Sequence, residues 1–587
     1  MTCSHLETIW RQKEWDREFC RQASIELSIP YAIAAILNQR GHTDLQEMEN
    51  FLGPTLNQLP SPFMLKGMTA ATDILLTAVK EGRPVAVFGD YDVDGITSTT
   101  VLLRFFRLLG LQTSFYIPER LTEGYGLNLP GIEKLAAESG AGAILVAVDC
   151  GITSVDEVRA AQERGFQVII IDHHQVPPQI PAAEAVINPL QPDCAFPDKN
   201  LAGVGLAFYL IMGLRNRLTE KGFWQQDRFP NLREYLDLVA LGTVADMVPL
   251  VGTNRIFVKA GLEVMNSRIS DPTMQSGLLQ LIEIACADNP VVDTEDISFR
   301  IAPRINAAGR MGTAAKAVDL LLSKNSRQCA VLADYLERAN NERKDIAAQV
   351  FAEAVAAAEP EVDSGRNSLV LWSEAWHPGV LGVVAARLAD HCNRPAFLLA
   401  VNNGRAKGSG RSIAGLNIYE VLTACNELLI QYGGHEGAAG LTVDPENLET
   451  LRNRIDEVVT TMTGGREPVP ELWYDHSVNL AELFDTLFLE YYVRLCPFGF
   501  GNPEPVFVCE DVSLNSLRVV GGNHVRFSCR QKNTEAMGIA FNFADRLNNE
   551  LVGKNIVLVF RLRLNRFRGA ENWELQLIDF KTGSLTS

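Results

Sequence analysis

Acidic side chains are concentrated in the short stretch Gly89–Gly95, where aspartates occupy alternate positions. Asp90, Asp92 and Asp94 follow the apolar run Val85–Phe88 and precede a stretch of helical character. Carboxylates this close together repel one another unless cations lie between them. A helix N-cap with acidic neighbours is the alternative interpretation, but one aspartate is enough for a cap. The pattern therefore favours a site for metal ions.

A pair of adjacent histidines closes another apolar run. His173 and His174 follow Asp172 at the end of Val168–Ile171. A lone histidine is usually structural, whereas two histidines beside an aspartate at a strand end favour a ligand role. Neighbouring residues of an extended chain point in opposite directions. We therefore expect His173 and His174 to have different functions.

Two isolated aspartates complete the candidate set. Asp149 ends the apolar run Ala143–Val148, a position where a single aspartate is more often a cap. Asp246 follows a helical segment and carries little information alone. With the preceding groups they form an oxygen-rich site with one imidazole, which suits Mn²⁺ or Mg²⁺ better than zinc or copper. Two such ions about 4 Å apart can clamp the oxygens of a phosphoryl displacement and lower the pKa of a bound water. The expected chemistry is cleavage of a phosphodiester bond.

The apolar runs that carry these residues alternate with helical stretches. Thr97–Leu109 and Val155–Glu163 are helical in character, and Ser114–Ile117 is a further strand-like run. This alternation predicts a mostly parallel sheet covered by helices on both faces. Ligands of such sheets bind at the carboxyl ends of the strands, which is where the aspartates fall.

Further elements follow along the chain. Residues 1–80 read as short helices, and a long helix from about Gln328 to Ala358, ending before Pro360, could connect two domains. The remaining strand-like runs are Leu369–Trp372, Phe397–Val401, Val506–Cys509, Val525–Cys529, Ile556–Leu564 and Trp573–Ile578, and the remaining helical stretches are Gly203–Leu218, Leu232–Thr243, Val380–Asp390 and Ile418–Leu429. The β-rich end of the chain is compatible with a small barrel such as an OB-fold.

Composition is that of an ordinary globular protein of about three or four domains, with 587 residues, 47% of them hydrophobic and 21% charged. No apolar run is long enough for a membrane span, and the charged N-terminus does not resemble a signal peptide, so we expect a cytoplasmic protein. The 11 cysteines form no CxxC pair, which favours reduced thiols over disulfides or zinc.

Net charge is −18, which on its own argues against binding to nucleic acid. A carboxylate-rich metal site accounts for part of this charge. From Arg518 to Lys581 the chain carries 11 Lys or Arg against 6 Asp or Glu, so its C-terminal part is locally basic. Basic residues alternate there with aromatic ones, a pattern typical of contacts to a single nucleic-acid strand, although a solvated strand face is equally compatible with it. The possible contacts are Arg561, Arg563, Arg566 and Arg568.

Glycine-rich strings with basic residues suggest anion sites. Tyr432–Gly440 contains Gly433, Gly434 and His435 after a predicted helix, where a helix C-cap and turn is the alternative. In Gly408–Ser412 the arginine is flanked by hydroxyls and glycines, and an arginine fork fits phosphate. Two further strings of this kind are Arg304–Arg310 and Trp376–Gly379. Besides the glycine-rich residues above, the candidate anion ligands are Arg304, Arg310, His377, Ser409, Gly410 and Arg411.

The order of the acidic motifs is similar to that of the DHH phosphoesterase superfamily, whose members hold two Mn²⁺ or Mg²⁺ ions. The chain carries Asp-x-Asp, a single Asp, Asp-His-His and a single Asp in that order. The resemblance implies that Asp149 bridges the ions and that Asp90 is an additional acid typical of the RecJ-type exonucleases of this superfamily. The implied metal ligands are Asp90, Asp92, Asp94, Asp149, His173 and Asp246, and the implied catalytic residues are Asp149, His173 and His174.

Other strings resemble RecJ-type motifs, among them Cys496–Pro503 and the glycine-rich string at Gly433–His435, which is similar to the GGH motif of the DHH-associated domain. The resemblance implies that a substrate strand binds opposite the metals, in a cleft too narrow for a duplex. The residues implied to hold a 5′-terminal phosphate are Arg120, Arg310, Ser409 and Arg411.

The resemblance also implies an architecture of α/β domains ending in a β-barrel. The expected divisions are an N-terminal helical segment at 1–80, a DHH domain with a parallel sheet at 81–260, a helical region and connecting helix at 261–360, a DHH-associated α/β domain at 361–465 and an OB-fold at 466–587. The implied activity is two-metal 5′→3′ hydrolysis of single-stranded DNA to 5′-mononucleotides, in DNA repair and recombination. A single-strand-binding protein and a helicase are implied partners.

One residue departs from the superfamily pattern. Many members have a histidine metal ligand four residues before the position of Asp92, where this chain has Phe88. Either Phe88 marks a vacant ligand position, or it is a core residue of the strand. Two alternative functions also stay open: a phosphodiesterase or phosphatase acting on short oligonucleotides, and an inactive DNA-binding scaffold. The basic tail argues against the first, and the intact acidic set argues against the second.

Overall fold

The computed structural model describes residues 8–120, 122–140, 142–224, 229–271, 276–287, 289, 291–464, 471–567 and 570–583. None of the helices in these ranges is long and apolar enough to cross a membrane. The chain is built from α/β domains and ends in a β-barrel, as the sequence predicts.

The first elements form a small cap of one strand and three helices, in which a side-chain oxygen of Asp16 and of Asp44 caps the first and third helix. The elements are β1 (Ile9–Gln12), α1 (Arg17–Glu26), α2 (Tyr31–Gln39) and α3 (Leu45–Leu52).

A parallel five-stranded sheet forms the next domain, in the strand order β3-β2-β4-β5-β6. Its central strands are apolar throughout because helices cover both faces. The predicted strands at Val85, Ser114, Ala143 and Val168 are confirmed to within a few residues. The elements are α4 (Met68–Glu81), β2 (Val85–Gly89), α5 (Val93–Leu108), β3 (Thr113–Tyr116), α6 (Leu129–Ser139), β4 (Ile144–Val148), α7 (Val155–Glu163), β5 (Gln167–Ile171), β6 (Ala185–Ile187), α8 (Gly203–Glu220), α9 (Leu236–Ala245), α10 (Gly252–Ile269), α11 (Gly277–Ala285), α12 (Thr294–Asp296), α13 (Ala302–Met311) and α14 (Ala315–Leu322).

A single long helix, α15 (Ser326–Asp363), leads from this domain to the next. The prediction that it ends before Pro360 is wrong, since the helix includes this proline. Proline removes one backbone donor, but it lies in the last turn, and tertiary contacts hold that turn. Arg366 and Arg452 both form ion pairs with Glu361, at 2.6 and 2.9 Å.

The second α/β domain has a mixed sheet in the order β10-β11-β9-β8-β7. The predicted helix Ile418–Leu429 is wrong in its second half, because the helix ends at Thr423 and a strand begins at Leu429. The glycine-rich string therefore lies in a β-hairpin, where its glycines pair with Gly440 and Ala439. The elements are β7 (Leu369–Ser373), α16 (Leu381–Cys392), β8 (Ala396–Asn402), β9 (Arg405–Arg411), α17 (Ile418–Thr423), β10 (Leu429–His435), β11 (Ala438–Val443) and α18 (Leu448–Thr463).

The C-terminal strands close into a five-stranded barrel, because the first of them pairs with both the second and the fourth. The N-terminal cap packs on this barrel: Leu37 and Phe51 share a buried core with Phe488 and Phe507, and β1 pairs in parallel with the strand at Glu471. The elements are β12 (Glu471–Tyr474), β13 (His476–Ser477), α19 (Leu480–Leu483), α20 (Thr486–Leu495), β14 (Val506–Val520), β15 (His524–Gln531), β16 (Thr534–Ala540), β17 (Asn555–Phe567) and β18 (Ala570–Thr582).

Candidate active site

The acidic motifs meet at one edge of the parallel sheet. Strands β2, β4 and β5 are neighbours, and each is followed directly by one of the motifs. Asp90, Asp94 and Asp149 are at most 3% exposed. Asp149 also has a φ of +60°, a left-handed conformation that is costly for a residue with a side chain. Such a conformation is found mainly where the surrounding structure fixes it, often at functional sites.

His173 lies at the centre of these carboxylates. Its Nε2 is 3.1 Å from Asp149 Oδ1, 3.7 Å from Asp246 Oδ2 and 3.9 Å from Asp94 Oδ2. A second group is formed by Asp90, Asp92 and Asp149, each with one oxygen within 4.8 Å of the others. The two groups lie side by side, and Asp149 contacts both of them. This is the arrangement required for two cations that share one bridging carboxylate.

The residues present fit a pair of divalent cations. Four buried atoms of these acidic and histidine side chains have no hydrogen-bond partner among the described residues: Asp90 Oδ1, Asp149 Oδ1, His173 Nε2 and Asp246 Oδ2. Burying such atoms unpaired is costly, so their common orientation indicates ligands for an ion. Burial, and then the charge of Asp94, raises the pKa of Asp246 to about 9. Burial, and then the charge of His174, lowers the pKa of His173 to about 4, which keeps its imidazole neutral and able to bind a metal.

Asp94 is held by the start of helix α8. Its two oxygens accept hydrogen bonds from the backbone N–H groups of Gly203, at 2.6 Å, and Val204, at 2.8 Å. A Cβ at Gly203 would lie 3.0 Å from both Asp94 and Asp149, so a larger residue would have to displace these carboxylates. The sequence reasoning missed Gly203, although a glycine at the start of an apolar helix is a weak sign of close approach.

His174 has different surroundings from its neighbour. Its Nδ1 lies 2.7 Å from Asp172 Oδ1 and 3.1 Å from the hydroxyl of Tyr125, which also donates to the carbonyl of Asp149 at 3.2 Å. Almost half of the His174 side chain is exposed. His174 therefore faces the open side of the site, oriented by a carboxylate and a phenol. Tyr125 was not anticipated, because it lies in an irregular loop without any motif.

Phe88 is a core residue. It is fully buried, and its ring centroid lies 5.3 Å from that of Tyr116. A Cβ at Gly131 of α6 would come within 2.6 Å of both rings, so the helix packs closely on them. Phe88 and Ala86 belong to the core on one face of the sheet. Val87 points to the opposite face, where it packs with the residues of α5. Of the two interpretations, the structure supports the core residue.

Three arginines form a cationic wall next to the metal site. The guanidinium carbon of Arg120 lies 5.0 Å from the ring centroid of Tyr91. Tyr91 is the residue between Asp90 and Asp92 in the sequence. Burial, and then the charges of Arg120 and other arginines including Arg411, lowers the pKa of Arg310 to about 10. Within the described ranges, none of the three forms an ion pair with an acidic side chain. Guanidinium groups without carboxylate partners can bind an anion.

The second α/β domain completes this wall. Arg310 donates to the carbonyl of Gly379 at 3.1 Å, and His377 Nδ1 accepts a hydrogen bond from the N–H of the same glycine. A Cβ at Gly382, in the first turn of α16, would lie 3.0 Å from Arg411 Nη2 and 3.4 Å from Ser409 Oγ. His377 and Arg310 thus both contact Gly379, and Ser409 and Arg411 lie beside the first turn of the helix that follows it, with Gly410 between them in β9.

Two other groups of predicted residues are not part of the three-arginine wall, although the glycine-rich string is in register with Ser409–Arg411 through Ala438–Gly440. Arg304 forms an ion pair with Glu337 and also donates to the carbonyl of Arg300, so its charge is already compensated. Gly433, Gly434 and His435 are exposed on the edge strand of their sheet, and His435 Nδ1 accepts a hydrogen bond from Gly437 at 3.2 Å.

The predicted arginines of the barrel are also paired. Arg561 lies 3.9 Å from Glu504, Arg563 contacts Glu295, and Arg566 forms an ion pair with Glu571 at 2.9 Å. Arg568 lies outside the described residues. Phosphates would therefore have to compete with these carboxylates.

Comparisons with known proteins match each part of the chain. The family model of the DHH family, N-terminal domain, matches residues 84–243, the DHHA1 domain matches 365–461 and the RecJ OB domain matches 474–579. The single-stranded-DNA-specific exonuclease RecJ of Dickeya dadantii is 36% identical over 574 residues, covering 94% of this chain and 97% of that protein. The protein of the same name from Bacillus subtilis is 33% identical and covers 97% of this chain and 70% of its own length.

Two solved structures resemble the fold. One is a crystal structure of RecJ in complex with Mn²⁺ from Thermus thermophilus, with a TM-score of 0.79 and 31% identity over 98% of this chain and 80% of that one. The other is described as exonuclease RecJ bound to manganese, with a TM-score of 0.57 and 36% identity over 70% of this chain and 97% of that one.

Proposed function

Because the chain belongs to the RecJ family of single-stranded-DNA-specific exonucleases, we propose that it hydrolyses single-stranded DNA from the 5′ end and releases 5′-mononucleotides. Two divalent cations, Mn²⁺ or Mg²⁺, are its cofactors. The observation that carries this proposal is the unpaired group of Arg120, Arg310 and Arg411 beside two carboxylate groups that share Asp149.

The acidic residues define where the scissile phosphate lies. Bound divalent cations supply charge stabilisation and activate water for attack on phosphorus. Asp149 and His173, 3.1 Å apart, would hold the ions, and Asp94 is fixed by two backbone N–H groups. His174 faces the open side of the site with a ring that Asp172 orients, so it can donate a proton or a hydrogen bond to a phosphate oxygen.

The arginine wall sets the polarity of digestion. A terminal 5′-phosphate carries more negative charge than an internal phosphodiester, so it gains more from guanidinium groups that lack carboxylate partners. With the terminal phosphate held there, the next phosphate along the strand reaches the metal site. One nucleotide is then released in each cycle, whereas a 3′-hydroxyl end carries no terminal phosphate for these arginines to bind.

The decisive experiment is digestion of strands labelled at either end, in the presence of Mn²⁺, Mg²⁺ or a chelator. We expect mononucleotides from the 5′ label at once, none in the chelator, and little digestion of a duplex. The Asp149→Ala chain is the matched inactive control. Initial release from the 3′ label would contradict the assigned polarity, and faster cleavage of dinucleotides than of long strands would favour a short-oligonucleotide phosphodiesterase instead.

A role in DNA repair and recombination, with a single-strand-binding protein and a helicase as partners, completes the proposal. Its support is the family relationship, since a single-strand exonuclease requires another activity to unwind duplex DNA. Stimulation of duplex digestion by a helicase in a reconstituted reaction tests it.

A further inference from the structure

The segment Cys496–Pro503, called here the 496–503 segment, connects helix α20 to the first barrel strand and lies against the chain that follows Asp246. Its sequence is Cys-Pro-Phe-Gly-Phe-Gly-Asn-Pro. Nothing in the proposed reaction uses this segment directly. Its contacts with the stretch that follows Asp246 nevertheless suggest what it does.

The 496–503 segment contacts the stretch after Asp246 through its backbone. The N–H of Leu250 donates to the carbonyl of Phe500 at 2.8 Å. Gly501 has a φ of +72°, and a Cβ there would lie 2.8 Å from Pro249 Cβ. A Cβ at Gly499 would lie 2.7 Å from Leu250 Cδ1. Gly501 therefore permits an approach that any side chain would prevent, whereas a methyl group at Gly499 would meet only the side chain of Leu250.

Asp246 depends on such support because it ends helix α9 and is followed by irregular chain. Met247 has a φ of +58°, which is unfavourable for methionine, and the next helix begins only at Gly252. The side chain of Asn254 donates to the carbonyl of Pro249 at 3.0 Å from the other side. The stretch between the two helices is thus clamped between α10 and the barrel segment.

The 496–503 segment is itself rigidly anchored. Asn502 is fully buried and donates to the carbonyls of Leu495, at 2.9 Å, and Pro497, at 2.7 Å. Arg255 of α10 is 1% exposed and donates to the carbonyls of Arg494 and Cys496 at 2.8 and 2.9 Å. Buried charge-assisted hydrogen bonds of this kind are costly to break, so they fix the segment relative to the catalytic domain.

The guanidinium of Arg255 also donates to the carbonyl of Phe51 in the N-terminal cap, at 3.0 Å. Its central carbon lies 3.8 Å from the centroid of the Phe51 ring. The side chain of Thr294 donates to the carbonyl of Phe498 at 2.6 Å. Arg255 thus links the 496–503 segment to the N-terminal cap, and Arg255 and Thr294 both link it to the domain that carries the metal site.

We propose that the 496–503 segment is a positioning element that holds the carboxylate of Asp246 in place for metal binding, with Gly501 at the point of contact. This role rests on the proposed two-metal site. It assigns to the barrel domain a task in the chemistry that is separate from contact with DNA. Residues that support a metal ligand typically alter metal affinity roughly ten- to hundredfold when changed.

The test compares two glycine variants of the full chain. Gly501→Ala introduces a methyl group against Pro249, and we expect Mn²⁺ binding to weaken about tenfold by calorimetry, with slower cleavage of a dinucleotide. Gly522→Ala is the matched control, because Gly522 also has a positive φ, of +88°, but has nothing within 4 Å of a Cβ. The control should bind Mn²⁺ as the wild type does.

Unchanged Mn²⁺ binding in a folded Gly501→Ala chain would overturn the positioning role, as would an equal loss in Gly522→Ala. If Gly501→Ala does not fold, Gly499→Val decides in its place, since Gly499 has no positive φ and a branched side chain there would displace the buried Leu250. A wild-type chain that does not bind Mn²⁺ would instead overturn the proposed function itself.

Discussion

Replacing Phe88 by histidine tests whether the strand before the acidic motif has a vacant ligand position. In the structure the side chain is fully buried against Tyr116 and Gly131 and points away from the face that α5 covers. An imidazole there would lie in an apolar core, without access to the carboxylates. We therefore expect the Phe88→His chain to lose stability and to gain no affinity for metal.

The magnitude follows from two contributions. Loss of apolar contact costs roughly 1–2 kcal/mol, since the imidazole fills less of the site and is more polar than the phenyl ring. A buried ring N–H without a partner costs about 1–3 kcal/mol more. The sum of about 2–5 kcal/mol corresponds to a fall in Tm of roughly 5–20 °C for a domain of this size.

The assay is a thermal melt of the chelated chain together with a calorimetric Mn²⁺ titration. Phe88→Leu is the matched control, because it reduces the packing without adding a nitrogen, and its Tm should fall less. Both variants should keep the Mn²⁺ affinity of the wild type. Tighter Mn²⁺ binding by Phe88→His alone would refute the reasoning and restore the vacant ligand position.

Further predictions concern the two parts of the site and the barrel. Asp149→Asn should abolish turnover in a cleavage assay. It should also raise the Tm of the metal-free chain, measured with chelator, because it removes one of several buried carboxylates that repel each other. Arg310→Ala should lower kcat/KM on 5′-phosphorylated strands about 10- to 100-fold and affect 5′-hydroxyl strands less; equal loss on both would remove Arg310 from phosphate binding. Arg561→Ala should reduce the salt dependence of long-strand binding by about one unit in slope and spare dinucleotide cleavage, and an unchanged slope would count against barrel contacts.

The parallel sheet and its acidic edge could be predicted because each signal is local. A strand buried on both faces is a continuous apolar run, so Val85–Gly89 and Ile144–Val148 are visible in the sequence. The aspartates that follow these runs meet because parallel strands end at one edge. Even Asp246, uninformative alone, could be assigned once the resemblance supplied the order of motifs.

The features that could not be predicted depend on contacts between distant parts of the chain. Pro360 normally ends a helix, but the ion pairs of Glu361 hold the last turn. The glycine-rich string followed an apolar stretch that resembled a helix, and only pairing with Ala438–Val443 makes it a hairpin. The ion pair between Arg304 and Glu337 joins residues on two different helices, so spacing could not reveal it. The domain limits at 80, 260, 360 and 465 stay predictions.

The packing of the N-terminal cap alters how the barrel can be tested. Deleting the chain after Pro505 would remove strands such as β14, whose Phe507 shares a core with Leu37 and Phe51 of the cap. The deletion would expose this core and release the 496–503 segment from the barrel. A loss of activity would then say nothing about DNA contact, so single substitutions on the barrel surface are the better probes.

The acidic net charge of the chain is compatible with DNA as a substrate because the charge changes locally when metal binds. The metal site contributes at most five negative charges, from Asp90, Asp92, Asp94, Asp149 and Asp246. Two divalent cations offset four of these, and the three unpaired arginines of the adjacent wall then make the site cationic. Metal and DNA therefore favour each other's binding, since linkage between two ligands is reciprocal. The net charge of −18 includes these five carboxylates and three arginines, and the remaining negative charge lies on surface that the strand does not have to touch.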